Sequence, residues 1–121
     1  MDRLFFTAGA VAAFVAVALG AFGAHSLKDR LSPDLLSIFE TGVRYQMYHA
    51  FGLLAVAWAI THWPEKNLNA AGWSFIVGII IFSGTLYLLS LTGVRWLGAI
   101  TPLGGIAFLI GWAILVWSIG R

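Results

Sequence analysis

His25 and His49 have the widest chemical range of any side chains in this sequence. An imidazole can pass a proton, bind a transition metal or ligate a haem iron. Close to His49 along the chain stand Glu40, Arg44, Tyr45, Gln46 and Tyr48, and a later stretch adds Tyr87. Glu40 and Arg44 are four residues apart, as are Arg44 and Tyr48, and Tyr45 and His49. On a helix that spacing places side chains on one face, where a carboxylate and a guanidinium can pair. These eight residues form the candidate polar site.

Three readings of the two histidines stay open: structural hydrogen bonding, a ligand or proton role, and metal or haem ligation. Bis-histidine haem requires a gap as wide as a porphyrin between the helices. A metal requires a third or fourth ligand, and Glu40 is the one acid nearby. The absence of Cys excludes disulfides and thiolate chemistry. No GxSxG, HExxH or glycine-rich phosphate loop occurs. No catalytic, cofactor-binding or metal residue is therefore assigned, and no enzyme activity is expected.

The elements that must position these groups are apolar. Of 121 residues, 60% are hydrophobic and 10% charged, against about 25% charged in a soluble domain. A bilayer core of about 30 Å takes roughly 20 apolar residues as a helix, because every backbone amide must be satisfied internally. Four stretches meet that demand, giving expected helices at 4–24, 33–63, 70–91 and 99–119 in one transmembrane domain, 1–121. The fold expected is all-α, an integral membrane four-helix bundle. Ala18-Leu19-Gly20 resembles a signal cleavage site, but Asp2 offsets Arg3 in a poor n-region, so the first stretch is expected to be a retained span.

Ser32-Pro33-Asp34 reads as a helix start: a hydroxyl cap, a proline at the first helical position and an acid in the first turn. Leu36, Phe39, Val43 and Met47 then follow helical spacing, with Ser37, Glu40, Arg44 and Tyr48 on the opposite stripe. This predicts an amphipathic lead-in at the membrane surface that runs into the second transmembrane helix, with Gly42 permitting a bend and a straight helix equally allowed. Ala8, Ala12, Ala16, Gly20 and Ala24 recur every fourth residue, and Gly104, Gly111 and Ser118 every seventh. Small residues let membrane helices approach closely enough for dispersion to hold them.

Four ordered segments carry a likeness: Gly20-Ala21-Phe22-Gly23-Ala24-His25, Tyr45-Gln46-Met47-Tyr48-His49-Ala50, Phe82-Ser83-Gly84-Thr85-Leu86-Tyr87 and Gly98-Ala99-Ile100-Thr101-Pro102-Leu103-Gly104-Gly105. Together they resemble the signature segments of a family of small bacterial inner-membrane proteins of unknown function, similar to eukaryotic transmembrane protein 256. The resemblance implies a four-helix protein of the inner (cell) membrane and carries no catalytic assignment.

Hairpin connectivity sharpens the picture. With four antiparallel spans, His25, Lys28, Glu40, Arg44, His49, Tyr87, Arg95 and Thr101 gather towards one side, and Arg3, His62, Lys66 and Arg121 towards the other. Ser83, Tyr87 and Ser90 should face inward, since lipid penalises them. Lysine and arginine number four on the first side and three on the second, which places the polar end in the cytoplasm and the termini outside. The expected function is that of a non-catalytic structural or accessory membrane component with a polar site at one face. The alternative is an oligomeric small-molecule or ion transporter or channel, and the third reading is a His-ligated haem or metal protein. Expected partners are the lipid bilayer and a larger membrane complex or a second copy of the chain. The basic residues are too few and scattered for nucleic acid.

Overall fold

The computed structural model describes all of residues 1–121, and its regular elements are all helical. α1 covers Asp2–Phe22 and runs on through a π turn at Gly23–Leu27. α2 is the 30-residue helix Pro33–His62. α3 (Asn69–Gly78) and α4 (Gly84–Thr92) join through a second π turn, Ile79–Ser83, into one long helix. A short 3-10 turn, Arg95–Ala99, leads into α5, Thr101–Gly120.

Three of these helical rods, Asp2–Leu27, Asn69–Thr92 and Arg95–Gly120, are long and apolar enough to cross a membrane. α2 is as long but carries the polar run from Tyr45 to His49. Gln46 and His49 of that run are buried in the bundle, 4% and 5% exposed, so they need not meet lipid. The outward surface is instead apolar: Phe14 is 76% exposed, Val116 73% and Leu109 69%. A water-soluble monomer does not show so continuous an apolar surface, and a bilayer is the solvent that fits it.

Local signals act where the residues place them. The Ser32 hydroxyl caps α2 by accepting from the Leu35 N–H at 3.2 Å, with Pro33 and Asp34 in the first turn. α4 stops at Gly93, whose φ of +75° suits a residue without a side chain and whose N–H reaches the Leu89 carbonyl at 2.7 Å.

α2 is the centre of the bundle, with α1 on one flank and α3–α4 on the other, while α5 packs on α3 and its π turn. α1 and α2 run antiparallel in a readable register: Gly9 faces Ala50 and Leu53, Gly20 faces Val43, and Gly23 faces the Phe39 ring. The four-residue stripe expected on α1 is only partly the contact face. The buried positions are Phe5, Gly9 and Ala16, then Gly23 in the π turn, while Ala24 is exposed. Four residues at 3.6 per turn overshoot a full circle by about 40°, so a strict fourth-residue row winds off the interface.

Rings resting on glycines build much of the remaining core. Phe5 lies on Gly72, Phe108 on Gly78, Phe75 on Gly52 and Gly111, and Tyr87 on Gly42. A glycine brings the backbone itself to the ring, and in lipid such dispersion contact is the main attraction available.

The amphipathic lead-in is continuous with the second helix, as the expected range 33–63 has it. It forms the first turns of α2 without a break, and Phe39 is buried between Gly23 and the Tyr87 ring. Gly42 serves a close approach rather than a bend, because a Cβ there would stand 3.2 Å from Tyr87 Cδ1.

Candidate functional site

Seen from α2, the interior polar groups form two hydrogen-bonded knots one helical turn apart. The first is centred on Gln46. Its Nε2 donates to the Ala12 carbonyl of α1 at 2.8 Å, and its Oε1 accepts from the Tyr87 hydroxyl of α4 at 2.7 Å. One carboxamide thus ties three helices together. Beside it the Ser83 hydroxyl, fully buried, donates to the Gly42 carbonyl at 2.7 Å.

The second knot is centred on His49. Trp112 of α5 donates its indole N–H to His49 Nε2 at 3.0 Å, and His49 Nδ1 lies 2.8 Å from the Tyr45 carbonyl. A carbonyl only accepts and an indole only donates, so His49 carries its proton on Nδ1 and is neutral in this arrangement. The ring stacks on Phe108 with centroids 3.5 Å apart and 7° between planes, and meets Phe75 edge-on at 5.3 Å. Both nitrogens and one face of the imidazole are therefore occupied by the protein itself. A metal or haem iron at either nitrogen would have to displace Trp112 or the Tyr45 carbonyl.

A third link holds the ends of α4 and α5. The Thr85 and Thr101 hydroxyls are 2.6 Å apart, and Thr85 also donates to the Ile81 carbonyl region of the π turn. No buried side-chain nitrogen or oxygen lacks a partner. That is what membrane burial demands, because nothing outside the bundle would satisfy such a group.

The eight candidate residues separate into an inner and an outer set. Gln46, His49 and Tyr87 come together inside. Tyr45 lies at the rim, 38% exposed, with its ring 4.7 Å from Phe82. His25, Glu40, Arg44 and Tyr48 are on the exterior. His25 sits in the π turn beyond α1, at the level of the first turns of α2 by the antiparallel register. At 1.5 Å per residue this is roughly 18 Å from the level of His49. The two histidines share neither depth nor environment.

The expected Glu40–Arg44 pair is not formed. Arg44 instead donates to the Thr41 hydroxyl at 3.2 Å. Both side chains stand in the open, where fixing two long chains in one geometry gains little. The ion pair at this end is Arg95–Asp34, at 2.7 Å, joining the turn before α5 to the start of α2. Sequence spacing offers no sign of it, since the partners are 61 residues apart. Nor does spacing single out Trp112, which lies mid-helix on α5 and is 63 residues from His49.

Apolar grooves flank the bundle. One lies between α1 and α3 and touches Gln46; another, between α2 and α5, is walled by Trp58, Trp63 and Trp112. The polar hollows lie at the helix ends around Asn67 and Asp2. Glu40, Arg44 and His49 line none of these.

Known proteins similar to this chain are named as membrane proteins. The chain is similar to the UPF0382 membrane protein of Staphylococcus epidermidis, 52% identical over 94% of this chain and 93% of the relative. It is 48% identical to UPF0382 membrane protein SSP2132 of Staphylococcus saprophyticus, over 94% of each chain. The UPF0382 membrane protein YwdK of Bacillus subtilis is 47% identical, again over 94% of each chain. No solved structure matches. The family model described as "Protein of unknown function (DUF423)" matches residues 19–105, from the end of α1 to the start of α5. On that match and those identities, this membrane protein belongs to the DUF423 family, whose function is unknown.

Proposed function

We propose that the protein is a non-catalytic component of the bacterial cell membrane, a bundle that assists other membrane constituents through one polar end. The observation that supports this is the closure of the interior. Every buried polar side chain has a partner within the chain, and both nitrogens of His49 are engaged. A catalytic base, a proton carrier or a metal ligand needs a free lone pair or a mobile proton at the reacting position. The hydrogen bonds that the inner set makes hold helices to one another.

What remains available to a partner is the exposed end with His25, Lys28, Arg30, Glu40, Arg44 and the Asp34–Arg95 pair. That end fits lipid headgroups, a larger membrane assembly or a second copy of the chain. The four-to-three balance of basic residues favours this end in the cytoplasm and both termini outside.

Single-cysteine crosslinking tests the reading, because the chain has no cysteine of its own. In intact membranes, His25→Cys is expected to give a defined crosslinked species with a short thiol-reactive reagent, while Asn67→Cys at the opposite end gives none. Reconstitution into ion-loaded vesicles supplies the contrary outcome. Selective flux that disappears in Arg44→Ala would establish transport and overturn the accessory role.

A further inference from the structure

We infer that the groove between α1 and α3 binds a membrane quinone, whose ring carbonyl accepts the second N–H of Gln46. This goes beyond the accessory role and does not depend on it. The groove has a volume of about 240 Å³ and opens towards lipid. Ala8, Val11 and Val15 form its α1 wall, Ile76 and Ile80 stand opposite, and Gln46 is the one polar side chain that lines it. A few placed polar groups in an apolar hollow are the usual make-up of a small-molecule site. The volume falls just below the roughly 300–1,000 Å³ of pockets that enclose a drug-sized ligand. That suits a ring head group with its tail left in lipid.

Gln46 supplies the directional element. A carboxamide has two N–H donors. One reaches the Ala12 carbonyl, and the oxygen is held by Tyr87. The Ala12 carbonyl sets the amide's orientation, since the reverse would place oxygen against oxygen. The other N–H has no acceptor in the chain, although Gln46 is only 4% exposed. An unmet donor away from water costs free energy and rewards any acceptor brought to it.

Depth selects the class of acceptor. Ala12 stands near the middle of the rod Asp2–Leu27. The hydrocarbon core is about 30 Å thick, so phospholipid ester carbonyls sit about 15 Å from its midplane. An acyl chain can reach the groove but brings no acceptor with it. A quinone is carried by the hydrocarbon and presents carbonyls on an apolar ring.

The test uses the whole purified protein in detergent, with thermal unfolding read against ligand concentration. The probes are a naphthoquinone with a short isoprenoid tail, and the same molecule with both carbonyls replaced by methyl groups. The quinone is expected to raise the midpoint at concentrations where the hydrocarbon analogue does nothing. Gln46→Leu should weaken the apparent affinity about fivefold, the factor for one ordinary net hydrogen bond. Val11→Trp, which fills the groove and leaves the Gln46 bonds in place, should abolish the response. Equal shifts from both probes would mean an acyl-chain groove, and an undiminished response in Val11→Trp would put binding elsewhere. Either result, or no shift with the quinone, overturns the proposal.

Discussion

His49 shows how an ionisable residue can be held inside a helical bundle by the protein's own groups. Its two ring nitrogens join Trp112 to the backbone of α2, and its face covers Phe108. His49→Ala would leave the indole N–H unpaired and a hole beside two rings. We expect it to cost about 2 kcal/mol, from a membrane hydrogen bond of roughly 0.6–1.7 kcal/mol and the lost packing. Thermal unfolding in detergent reads this directly. Arg44→Ala and Glu40→Ala should each stay within about 0.5 kcal/mol of the wild type, because both side chains are exposed and unpaired with one another. A large loss in either would show that the open end is more ordered than its contacts account for.

At the scale of elements, glycine and ring are the repeating device. At Gly104 a Cβ would stand 2.8 Å from Phe82 Cα, an atom of the backbone that cannot turn aside. Gly104→Ala should therefore push α5 off the α3–α4 rod and destabilise the protein by about 1–3 kcal/mol, the range for overpacking. Its neighbour Gly105 has nothing closer than 3.9 Å, and Gly84 has nothing within 4 Å. Alanine at either should be neutral or slightly stabilising, by up to about 1 kcal/mol from helix propensity. Unfolding midpoints of the three variants make one comparison, and equal behaviour would refute the close approach. The π turn at Ile79–Ser83 is the other element of consequence. Ala71, Gly72, Phe75 and Gly78 are the buried positions before it, and regular α spacing from Phe75 and Gly78 would bring Phe82 to the core next. The extra residue of the π turn brings Ser83 inward instead, with its hydroxyl on the Gly42 carbonyl. Tyr87 and Ser90 follow in that new phase.

For the whole molecule, the balance of charge across the two ends governs insertion. Four basic residues against three is a small margin, and acidic neighbours such as Asp34 weigh little in it. Two lysines added after Arg121 should reverse the orientation of a large share of the chains, read by a reporter fused at the C-terminus. An unchanged orientation would mean that the first helix alone directs insertion. Asp34→Ala removes the one tie between the start of α2 and the turn before α5. Because that pair is exposed, its loss should cost no more than about 1 kcal/mol.

Hydropathy alone determined that this is an all-helical membrane bundle, because a bilayer admits no other use for long uncharged stretches with short connections. The cap at Ser32, the close-packing glycines Gly104 and Gly111, and the inward stripe of Ser83 and Ser90 were legible for the same reason: each depends on local chemistry or helical spacing. Tertiary structure decided which polar groups meet. Two histidines near one end of the sequence pattern lie at different depths, since the π turn carries His25 past α1 while α2 takes His49 inward. Trp112 and Gln46 found their partners 63 and 34 residues away. Such pairings depend on helix rotation and register, which the packing of rings on glycines sets only once all the helices have come together.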